Sequence, residues 1–342
     1  MRAVQMVGVG KPLEMFELPV PPVGDLDVLV RIRAAGVCHS DVHYRLGKSP
    51  VHPLPLTLGH EVAGVAEAVG KATHRIRPGD RVVLNYMVTC GDCYYCNSGS
   101  EQFCTSGSMI GHYRDGGYAD YIAVPERGVL VLPDEISFGQ GATLMCASAT
   151  SFHALRKARL KAGETIAVFG AGGLGMSAIQ LGRAFGAQEV FAVDINPAKL
   201  SLAAHYGAIP IDAREGDPSL LIREQTGGRG VDVALELIGL AETMKQALNS
   251  LAIHGRVVIA GIGDRPLAVN TYQELIGPEA EIIGSNDHLL QELPQLIELA
   301  RRGILDLSQV VSRTIPLDAD AINHSLNALE NFTSDVRTVI VP

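Results

Sequence analysis

The six cysteines of this 342-residue chain fall into two sets with different spacing. Four of them form a C-x2-C-x2-C-x7-C loop: Cys90, Cys93, Cys96 and Cys104. Four thiolates this close in sequence can complete a tetrahedral zinc shell without ligands from elsewhere in the chain. The spacing therefore predicts a structural zinc site. The alternative for such thiols is a redox pair or disulfides, which a reducing compartment disfavours.

The remaining cysteines, Cys38 and Cys146, stand far apart in sequence, and His60 lies between them. Two Cys and one His leave the fourth position of a tetrahedral zinc ion open, which is the ligand set of a catalytic zinc. The plainer interpretation is that both cysteines are small buried hydrophobic residues, as free Cys often is. On that view His60 packs or faces solvent. We expect a second zinc site with a catalytic role.

A glycine-rich turn follows an apolar strand and opens a helical stretch from Met176 to Phe185. The turn satisfies G-x-G-x-x-G, which gives a tight bend, a close approach of backbone to a pyrophosphate, and a helix N-terminus facing the anion. A turn without a ligand is the alternative. The predicted dinucleotide contacts of the turn are Gly170, Gly172, Gly173, Leu174 and Gly175.

An acidic residue, Asp194, ends the next predicted strand 19 residues after Gly175. A carboxylate at this position accepts hydrogen bonds from the ribose hydroxyls of the adenosine. The residues that follow are Ile195, Asn196 and Pro197, so no Arg is present to receive a 2′-phosphate. The sequence therefore favours NAD over NADP.

The composition describes a globular protein with two domains. Hydrophobic residues make up 47% and charged residues 19% of the chain, whose length exceeds that of a usual single core. The net charge of −9, without a basic block, argues against nucleic acid and against an anionic membrane as partners. The first residues lack the apolar region typical of a signal peptide, and no apolar run is long enough to span a bilayer, so we expect a cytoplasmic protein.

The pattern of apolar runs changes near residue 161. The first part is rich in Gly, Pro and short β-branched runs and reads as mostly β. Beyond it, short apolar strands alternate with helical stretches, which indicates a parallel sheet with crossover helices. A helix is expected from Leu289 to Arg302, followed by a β-rich tail that returns to the first domain. The predicted strands are 165–169, 190–193, 209–211, 231–235, 256–260 and 281–283.

Taken together, these motifs resemble the zinc-containing medium-chain alcohol dehydrogenases along essentially the whole chain. The matching segments are 59–64 (Gly-His-Glu-Val-Ala-Gly), the four-cysteine loop, 146–150 (Cys-Ala-Ser-Ala-Thr) and the glycine turn. The resemblance implies a GroES-like β-rich catalytic domain, residues 1–148 with 286–342, and a Rossmann domain with a doubly wound parallel sheet, residues 149–285. It also implies an active-site cleft at their junction and a homotetramer, with a dimer as the alternative.

The family pattern also implies roles for individual residues of the catalytic site. Cys38, His60 and Cys146 resemble the ligands of the catalytic zinc, with Glu61 as a further ligand or a neighbour of the metal. Asp41 resembles the acid that hydrogen-bonds the ligating His and orients it. The zinc would act as a Lewis acid on the alcohol oxygen while NAD accepts a hydride. The function implied is reversible oxidation of small primary or secondary alcohols to aldehydes or ketones.

Further residues resemble family positions for proton transfer, cofactor binding and the substrate pocket. A relay is implied in which a hydroxyl, Ser40, passes the proton through the nicotinamide ribose to His43. Tyr86 falls at a bulky position that lines the substrate pocket together with Ser40, or it is simply packed. The additional predicted cofactor contacts are His39, Thr150, Lys199 and Arg337.

Two other functions stay open on the sequence. One is a polyol or amino-alcohol dehydrogenase of the same superfamily, although those relatives often carry Glu or Asp where this chain has Cys146. The other is a nucleotide-binding or zinc-stabilised protein without turnover, against which the intact Cys38, His60 and Cys146 argue.

Overall fold

The computed structural model describes residues 1–331 and 336–342. In these residues the strands are β1 Arg2–Met6, β2 Glu14–Glu17, β3 Asp27–Val37, β4 Leu56–Thr57, β5 Glu61–Val69, β6 Arg81–Leu84, β7 Met87–Val88, β8 Ser108–Met109, β9 Tyr121–Pro125, β10 Val129–Val131, β11 Thr165–Phe169, β12 Glu189–Asp194, β13 Ile209–Asp212, β14 Val231–Glu236, β15 Leu251–Ile259, β16 Glu281–Gly284, β17 Val311–Pro316 and β18 Arg337–Val341.

The α-helices of the described residues connect and flank these strands. They are α1 His39–Arg45, α2 Tyr94–Asn97, α3 Phe138–Thr143, α4 Ala149–Ala158, α5 Gly173–Ala184, α6 Pro197–His205, α7 Pro218–Gln225, α8 Ala241–Asn249, α9 Leu293–Arg301 and α10 Ala319–Glu330. No helix within residues 1–331 and 336–342 combines the length and hydrophobicity that a membrane span requires.

The chain divides into two compact units. The first comprises Met1–Cys146, Leu289–Arg302 and Leu307–Pro342, and the second comprises Ala147–His288 and Gly303–Asp306. The units thus separate after Cys146 and after His288. The domain limits 1–148 with 286–342, and 149–285, stay predictions.

The first unit is built around a seven-stranded sheet in which β3 is the organising strand. The strand order is β10-β6-β5-β3-β18-β17, and β9 also pairs with β3. Every second side chain of β3, including Val28, Val30 and Ile32, faces a buried core, because successive residues of a strand face opposite sides. The C-terminal strand β18 pairs with β3, so the end of the chain completes this sheet.

The second unit holds a six-stranded parallel sheet with the order β13-β12-β11-β14-β15-β16. Numbered from β11, this is the order 3-2-1-4-5-6 of a doubly wound dinucleotide-binding sheet. Its strands are nearly continuous apolar runs, such as Thr165–Phe169, which is buried throughout. Strands buried on both faces need such runs, because helices cover both sides of a parallel sheet.

Two predicted elements differ in extent from the structure. Strand β15 begins at Leu251 rather than Arg256, and it continues through Gly255, which reads as a turn signal in sequence. The helix expected over 289–302 begins instead as a 3-10 turn, Leu290–Glu292, and becomes α-helical only from Leu293. Pro294 lies in the first turn of that helix, where its missing N–H costs nothing.

Candidate active site

The register of three strands brings distant segments to one edge of the first sheet. Gly36 of β3 pairs with Glu61 of β5, and the antiparallel direction places the end of β3 beside the start of β5. Cys38 follows β3, and His60 immediately precedes β5. The same end of β3 pairs with β18, where Val37 faces Thr338. Cys38, His60 and the start of β18 therefore meet at this edge.

Two glycines make the close approach possible. Gly59 has a φ of +94°, a region that favours glycine, and a Cβ there would collide with the Tyr118 ring. A Cβ at Gly36 would overlap the carboxylate of Glu61. Glycine at positions 36 and 59 therefore lets the end of β3 and the start of β5 come close together.

The third candidate ligand, Cys146, lies in a π-helical segment, Leu144–Ser148. Single-turn π segments within helices occur frequently at functional sites. The Cys146 Sγ lies 4.0 Å from the Cys38 Sγ. One ligand atom each from Cys38, His60, Glu61 and Cys146 falls within 4.8 Å of the others, and all four residues are buried.

Asp41 connects helix α1 to His60. Its Oδ2 accepts hydrogen bonds from the Cys38 N–H at 2.9 Å and from the Tyr118 hydroxyl at 2.7 Å. Its Oδ1 lies 3.6 Å from His60 Nδ1. With Nδ1 turned toward Asp41, Nε2 is the nitrogen left for a metal, and it has no hydrogen-bond partner among the described residues. A carboxylate behind a ligating imidazole sets the ring orientation and raises its basicity.

The buried groups favour a positive charge at the centre of this cluster. The hydrogen bond with Cys146 holds the pKa of Cys38 well below its usual value. Burial lowers the pKa of His60, but Asp41 and Cys38 outweigh burial and raise it to about 10. Burial, and next the charge of Asp41, raise the pKa of Tyr118 well above its usual value, so the hydroxyl stays a donor. A thiolate and a buried carboxylate thus surround His60.

These residues fit a zinc ion. Zinc in proteins takes thiolate and imidazole ligands in a tetrahedral shell. The cluster supplies two buried sulfurs and an imidazole nitrogen without a partner, in an environment that stabilises a cation. A tetrahedral zinc ion has four ligand positions, and one would stay open for a further ligand beside Cys38, His60 and Cys146.

Glu61 has a second neighbour besides the cluster. The Arg337 guanidinium forms an ion pair with the Glu61 carboxylate, and both side chains are buried, at 5% and 0% exposure. The prediction that Arg337 contacts the cofactor did not anticipate this pairing and stays a prediction. A carboxylate engaged by a guanidinium is also a weaker candidate for the metal, so the ligand role of Glu61 stays a prediction as well.

The residues predicted for proton transfer lie on helix α1 and near its start. The Ser40 hydroxyl lies 3.7 Å from the Cys38 Sγ. His43 is one turn further along the helix, on the same side as Ser40. The rings of His39 and His43 are 5.0 Å apart. The structure thus places Ser40 beside the metal cluster, whereas the relay itself stays a prediction.

The predicted pocket residue Tyr86 is buried and packs its ring edge-on to His60, with centroids 5.3 Å apart. It therefore borders the candidate metal cluster. A contact between Tyr86 and a substrate stays a prediction.

The four-cysteine loop also gathers its sulfurs. The Sγ of Cys90 lies 3.9 Å from that of Cys96 and 3.5 Å from that of Cys104, and one atom from each of the four residues lies within 4.8 Å of the others. Backbone hydrogen bonds, led by the one at Cys96, lower the pKa of Cys93 to about 6. Four sulfurs at these separations form a second candidate zinc site.

The glycine turn of the second unit adopts the geometry that its sequence predicts. Gly170 follows strand β11 and has a φ of +99°, and Gly172 is the N-cap of helix α5. A Cβ at Gly175 would collide with the Gly170 carbonyl, whereas nothing lies within 4 Å of a Cβ at Gly172. The turn is therefore closely packed at Gly175 and leaves open space beside Gly172. The remaining predicted turn residues, Gly173 and Leu174, form the first turn of α5.

Asp194 ends strand β12 and holds the turn. Its Oδ2 accepts from the Ala171 N–H at 2.8 Å, and its Oδ1 accepts from the Asn196 N–H at 2.9 Å. Lys199 lies in the first turn of α6, and Thr150 lies near the start of α4, largely buried. Contacts of Thr150 and Lys199 with a cofactor stay predictions.

One residue of the cluster, Tyr118, was not among the predicted site residues. Its hydroxyl binds Asp41, and its ring packs where a Cβ of Gly59 would fall. The signal available in sequence is the pair Gly116-Gly117, since a Cβ at Gly116 would collide with the Gly59 carbonyl. Consecutive glycines before an aromatic residue can mark such a close backbone approach.

Comparison with known proteins identifies the family. The sequence model of the alcohol dehydrogenase GroES-like domain matches residues 24–134, and that of zinc-binding dehydrogenases matches residues 173–302. An NAD-dependent alcohol dehydrogenase of Sulfurisphaera tokodaii is 35% identical over 352 residues, covering all of both chains. The chain belongs to the zinc-containing medium-chain alcohol dehydrogenases. The predicted resemblance and the predicted fold class, a GroES-like unit with a Rossmann unit, are confirmed.

Other members of this family show how far the likeness extends. The structure of the alcohol dehydrogenase of Aeropyrum pernix superposes with a TM-score of 0.91 at 34% identity, covering all of both chains. An (R,R)-butanediol dehydrogenase of Bacillus subtilis is 32% identical over 346 residues, covering 97% of each chain. The chain is therefore an oxidoreductase of the alcohol dehydrogenase family, with two candidate zinc sites as predicted.

Proposed function

We propose that this protein is an NAD-dependent zinc alcohol dehydrogenase that reversibly oxidises small primary or secondary alcohols to aldehydes or ketones. The observation that carries the proposal is the buried Cys38–His60–Cys146 cluster, with Asp41 behind the imidazole. The NAD-dependent relative of S. tokodaii supports the cofactor.

The protein's own residues supply ligands, orientation and a proton path. Cys38, His60 and Cys146 would hold the zinc, and Asp41 would keep His60 in the orientation that presents Nε2. The bound zinc supplies Lewis-acid polarisation of the alcohol oxygen, and bound NAD supplies the hydride acceptor. Ser40, beside Cys38, would accept the alcohol proton while it passes its own hydroxyl proton on toward His43. His43 would then take up and release that proton, because an imidazole can both accept and donate a proton.

The choice of NAD rests on Asp194. Its carboxylate lies at the end of β12 beside the glycine turn. There it would accept hydrogen bonds from both ribose hydroxyls and repel a 2′-phosphate. Binding of NAD by Gly170, Gly172, Gly173, Leu174 and Gly175 would place the pyrophosphate at the N-terminus of α5.

A panel of alcohols and aldehydes, followed by NADH absorbance, tests substrate class and cofactor together. We expect two zinc ions per chain, one of which a mild chelator removes together with activity. Cys146→Ser should lose that zinc and nearly all turnover, while the matched change Cys93→Ser should lose the other zinc and lower the thermal midpoint. One tightly held zinc and no NADH change with any alcohol would contradict the proposal.

A second candidate function is oxidation of polyols or diols. The B. subtilis relatives named (R,R)-butanediol dehydrogenase and sorbitol dehydrogenase, each 32% identical, favour including such substrates in the panel.

We also propose that the protein is a homotetramer in the cytoplasm. Light scattering of the purified protein distinguishes a tetramer from a dimer.

A further inference from the structure

Three buried serines lie between the glycine turn and the π-helical segment Leu144–Ser148, which carries Cys146. They are Ser148, Ser151 and Ser177, each with 0% of its surface exposed. Ser148 ends the π segment, and Ser151 follows in the first turn of helix α4. Ser177 lies in helix α5, one turn after the first residue of that helix. None of the three has a role in the proposed metal binding or proton transfer.

A first hydroxyl bridge joins Ser148 to the start of α5 through Ser177. The two hydroxyl oxygens lie 2.8 Å apart. The Ser177 hydroxyl also donates to the carbonyl of Gly173, the residue with which α5 begins, at 3.2 Å. Because a hydroxyl has one proton to donate, Ser148 is the donor to Ser177 when Ser177 donates to Gly173. This chain of hydrogen bonds runs from the π segment to the glycine turn.

A second hydroxyl bridge joins the same two segments through one side chain. The Ser151 Oγ lies 2.7 Å from the carbonyl oxygen of Leu174 in the glycine turn and 2.9 Å from that of Ala147. A donor at these distances can share its proton between two carbonyl oxygens in a three-centre hydrogen bond. Ala147 directly follows Cys146. The Ser151 hydroxyl thus contacts both the backbone beside a candidate zinc ligand and a predicted dinucleotide contact.

Both hydroxyl bridges are shielded from water, so they hold the π segment against the glycine turn. Breaking a buried hydrogen bond is costly, because no water replaces the lost partner. All atoms of the two bridges belong to the second compact unit, whose stretch Ala147–His288 begins one residue after Cys146. Ordering of the glycine turn by a bound pyrophosphate therefore also orders the backbone next to Cys146.

We propose that these three serines are positioning residues that couple the dinucleotide site to the catalytic zinc site. NADH bound at the glycine turn tightens zinc binding at the cluster that contains Cys146, and zinc tightens NADH binding. This rests on the proposed function, which supplies both ligands. The coupling is positive because the second ligand binds a segment that the first has already ordered, and so pays less conformational entropy. It is also reciprocal, so each ligand changes the affinity of the other by the same factor.

The test measures the affinity of the zinc that a mild chelator removes, by chelator competition with and without saturating NADH. We expect NADH to raise this affinity in the unmodified protein by about fivefold or more, within the usual range of coupling between sites. NADH affinity, measured by fluorescence before and after removal of that zinc, should change by the same factor.

Each hydroxyl bridge can be broken by removing one hydroxyl. Ser148→Ala breaks the first bridge and Ser151→Ala the second, and each should reduce the coupling factor. The double variant should bring the factor to within about twofold of unity, while both ligands still bind. Should the double variant not fold, the two single variants carry the test, because each breaks one bridge.

The matched control is Ser250→Ala, which removes another fully buried hydroxyl of the second unit. The Ser250 hydroxyl donates to the Ala247 carbonyl of helix α8 at 2.7 Å. Its loss should lower stability much as the other serine substitutions do, but should leave the coupling factor unchanged. The readout is a ratio of two affinities of one protein, which a smaller folded fraction does not alter.

The possible outcomes separate the two proposals. If zinc and NADH both bind but neither changes the affinity of the other, the coupling proposal is overturned and the dehydrogenase proposal stands. The same holds if the coupling factor survives in both Ser148→Ala and Ser151→Ala, or falls equally in Ser250→Ala. If the protein binds no NADH, or no zinc besides that of the four-cysteine loop, the dehydrogenase proposal is overturned, and the coupling falls with it.

Discussion

Asp41 Oδ1 lies 3.6 Å from His60 Nδ1, and both side chains are completely or almost completely buried. The other oxygen of Asp41 receives the Cys38 backbone N–H and the Tyr118 hydroxyl. One carboxylate thus ties two candidate zinc ligands to the start of helix α1. The orientation of His60 depends on Asp41, and that dependence can be measured.

Replacing Asp41 by Asn should weaken zinc binding at the catalytic cluster by about 10- to 100-fold, the usual cost of losing a residue that orients a metal ligand. The amide keeps the size of the side chain but removes the negative charge beside His60. The measurement is zinc affinity by competition with a chelator, together with kcat/KM. Tyr118→Phe is the matched control, which leaves the carboxylate in place and should weaken zinc less. Equal affinity in Asp41→Asn and the unmodified protein would contradict the role of Asp41.

Removing Arg337 should destabilise the protein, because it leaves the Glu61 carboxylate buried without its cation. Breaking one partner of a buried ion pair costs about 3–5 kcal/mol, a cost that a nearby zinc ion would partly offset. Arg337→Met should therefore lower the free energy of unfolding measured with denaturant. The control is Arg2→Met, which breaks the more exposed ion pair with Asp120 and should cost about 0–1 kcal/mol. Equal losses in both variants would show that the buried pair has no special weight.

Asp194→Gly should weaken NAD binding by more than about tenfold, since hydrogen bonds to charged groups contribute about 1.5–3 kcal/mol. NADP binding should change less or improve, because the carboxylate no longer repels the 2′-phosphate. Titration of NADH and NADPH fluorescence measures both. Asp212→Asn is the control: Asp212 pairs in register with Asp194, but its carboxylate binds Arg214. Unchanged NAD affinity in Asp194→Gly would remove Asp194 from the cofactor site.

Zinc affinity of the catalytic cluster should rise with pH. Because the pKa of His60 is raised to about 10 in the metal-free protein, the imidazolium stabilises the fold fully below its ordinary pKa of about 6.5 and loses that contribution as pH approaches 10. Zinc requires the neutral imidazole, so binding releases this proton, and affinity should rise by up to about tenfold per pH unit between pH 6 and 8. Chelator competition at several pH values measures it. His60→Ala should show only the zinc of the four-cysteine loop, and a pH-independent affinity in the unmodified protein would sink the prediction.

Much of the fold and of the chemistry could be predicted from the sequence, because the relevant signals are local. The glycine turn, the apolar strand before it and Asp194 lie in one short stretch, and the structure shows the strand, the turn and the helix in that order. The four cysteines of the loop span fifteen positions, so their sulfurs come together without contacts from other segments. Hydrophobic periodicity likewise predicted the parallel sheet, although it missed the start of β15 at Leu251.

What the sequence could not predict depends on contacts between distant segments. Residue types and the family resemblance predicted Cys38, His60 and Cys146 as metal ligands, and this assignment stays a prediction. Their meeting depends on the pairing of β3 with β5 and on a π-helical segment that begins more than a hundred positions after Cys38. The ion pair of Arg337 with Glu61 has no local pattern, and the glycines before Tyr118 mark a close approach without indicating Asp41 as the partner.

Side-chain types and their spacing thus predict the chemistry of this protein: thiolates and an imidazole for zinc, and a glycine turn with an acid for a dinucleotide. Tertiary contacts establish which atoms are buried together and which carboxylate faces which ring nitrogen. The physical reason is that ligand preference belongs to a side chain, whereas burial, charge and an unpaired nitrogen arise from neighbours that strand register and packing bring from elsewhere in the chain.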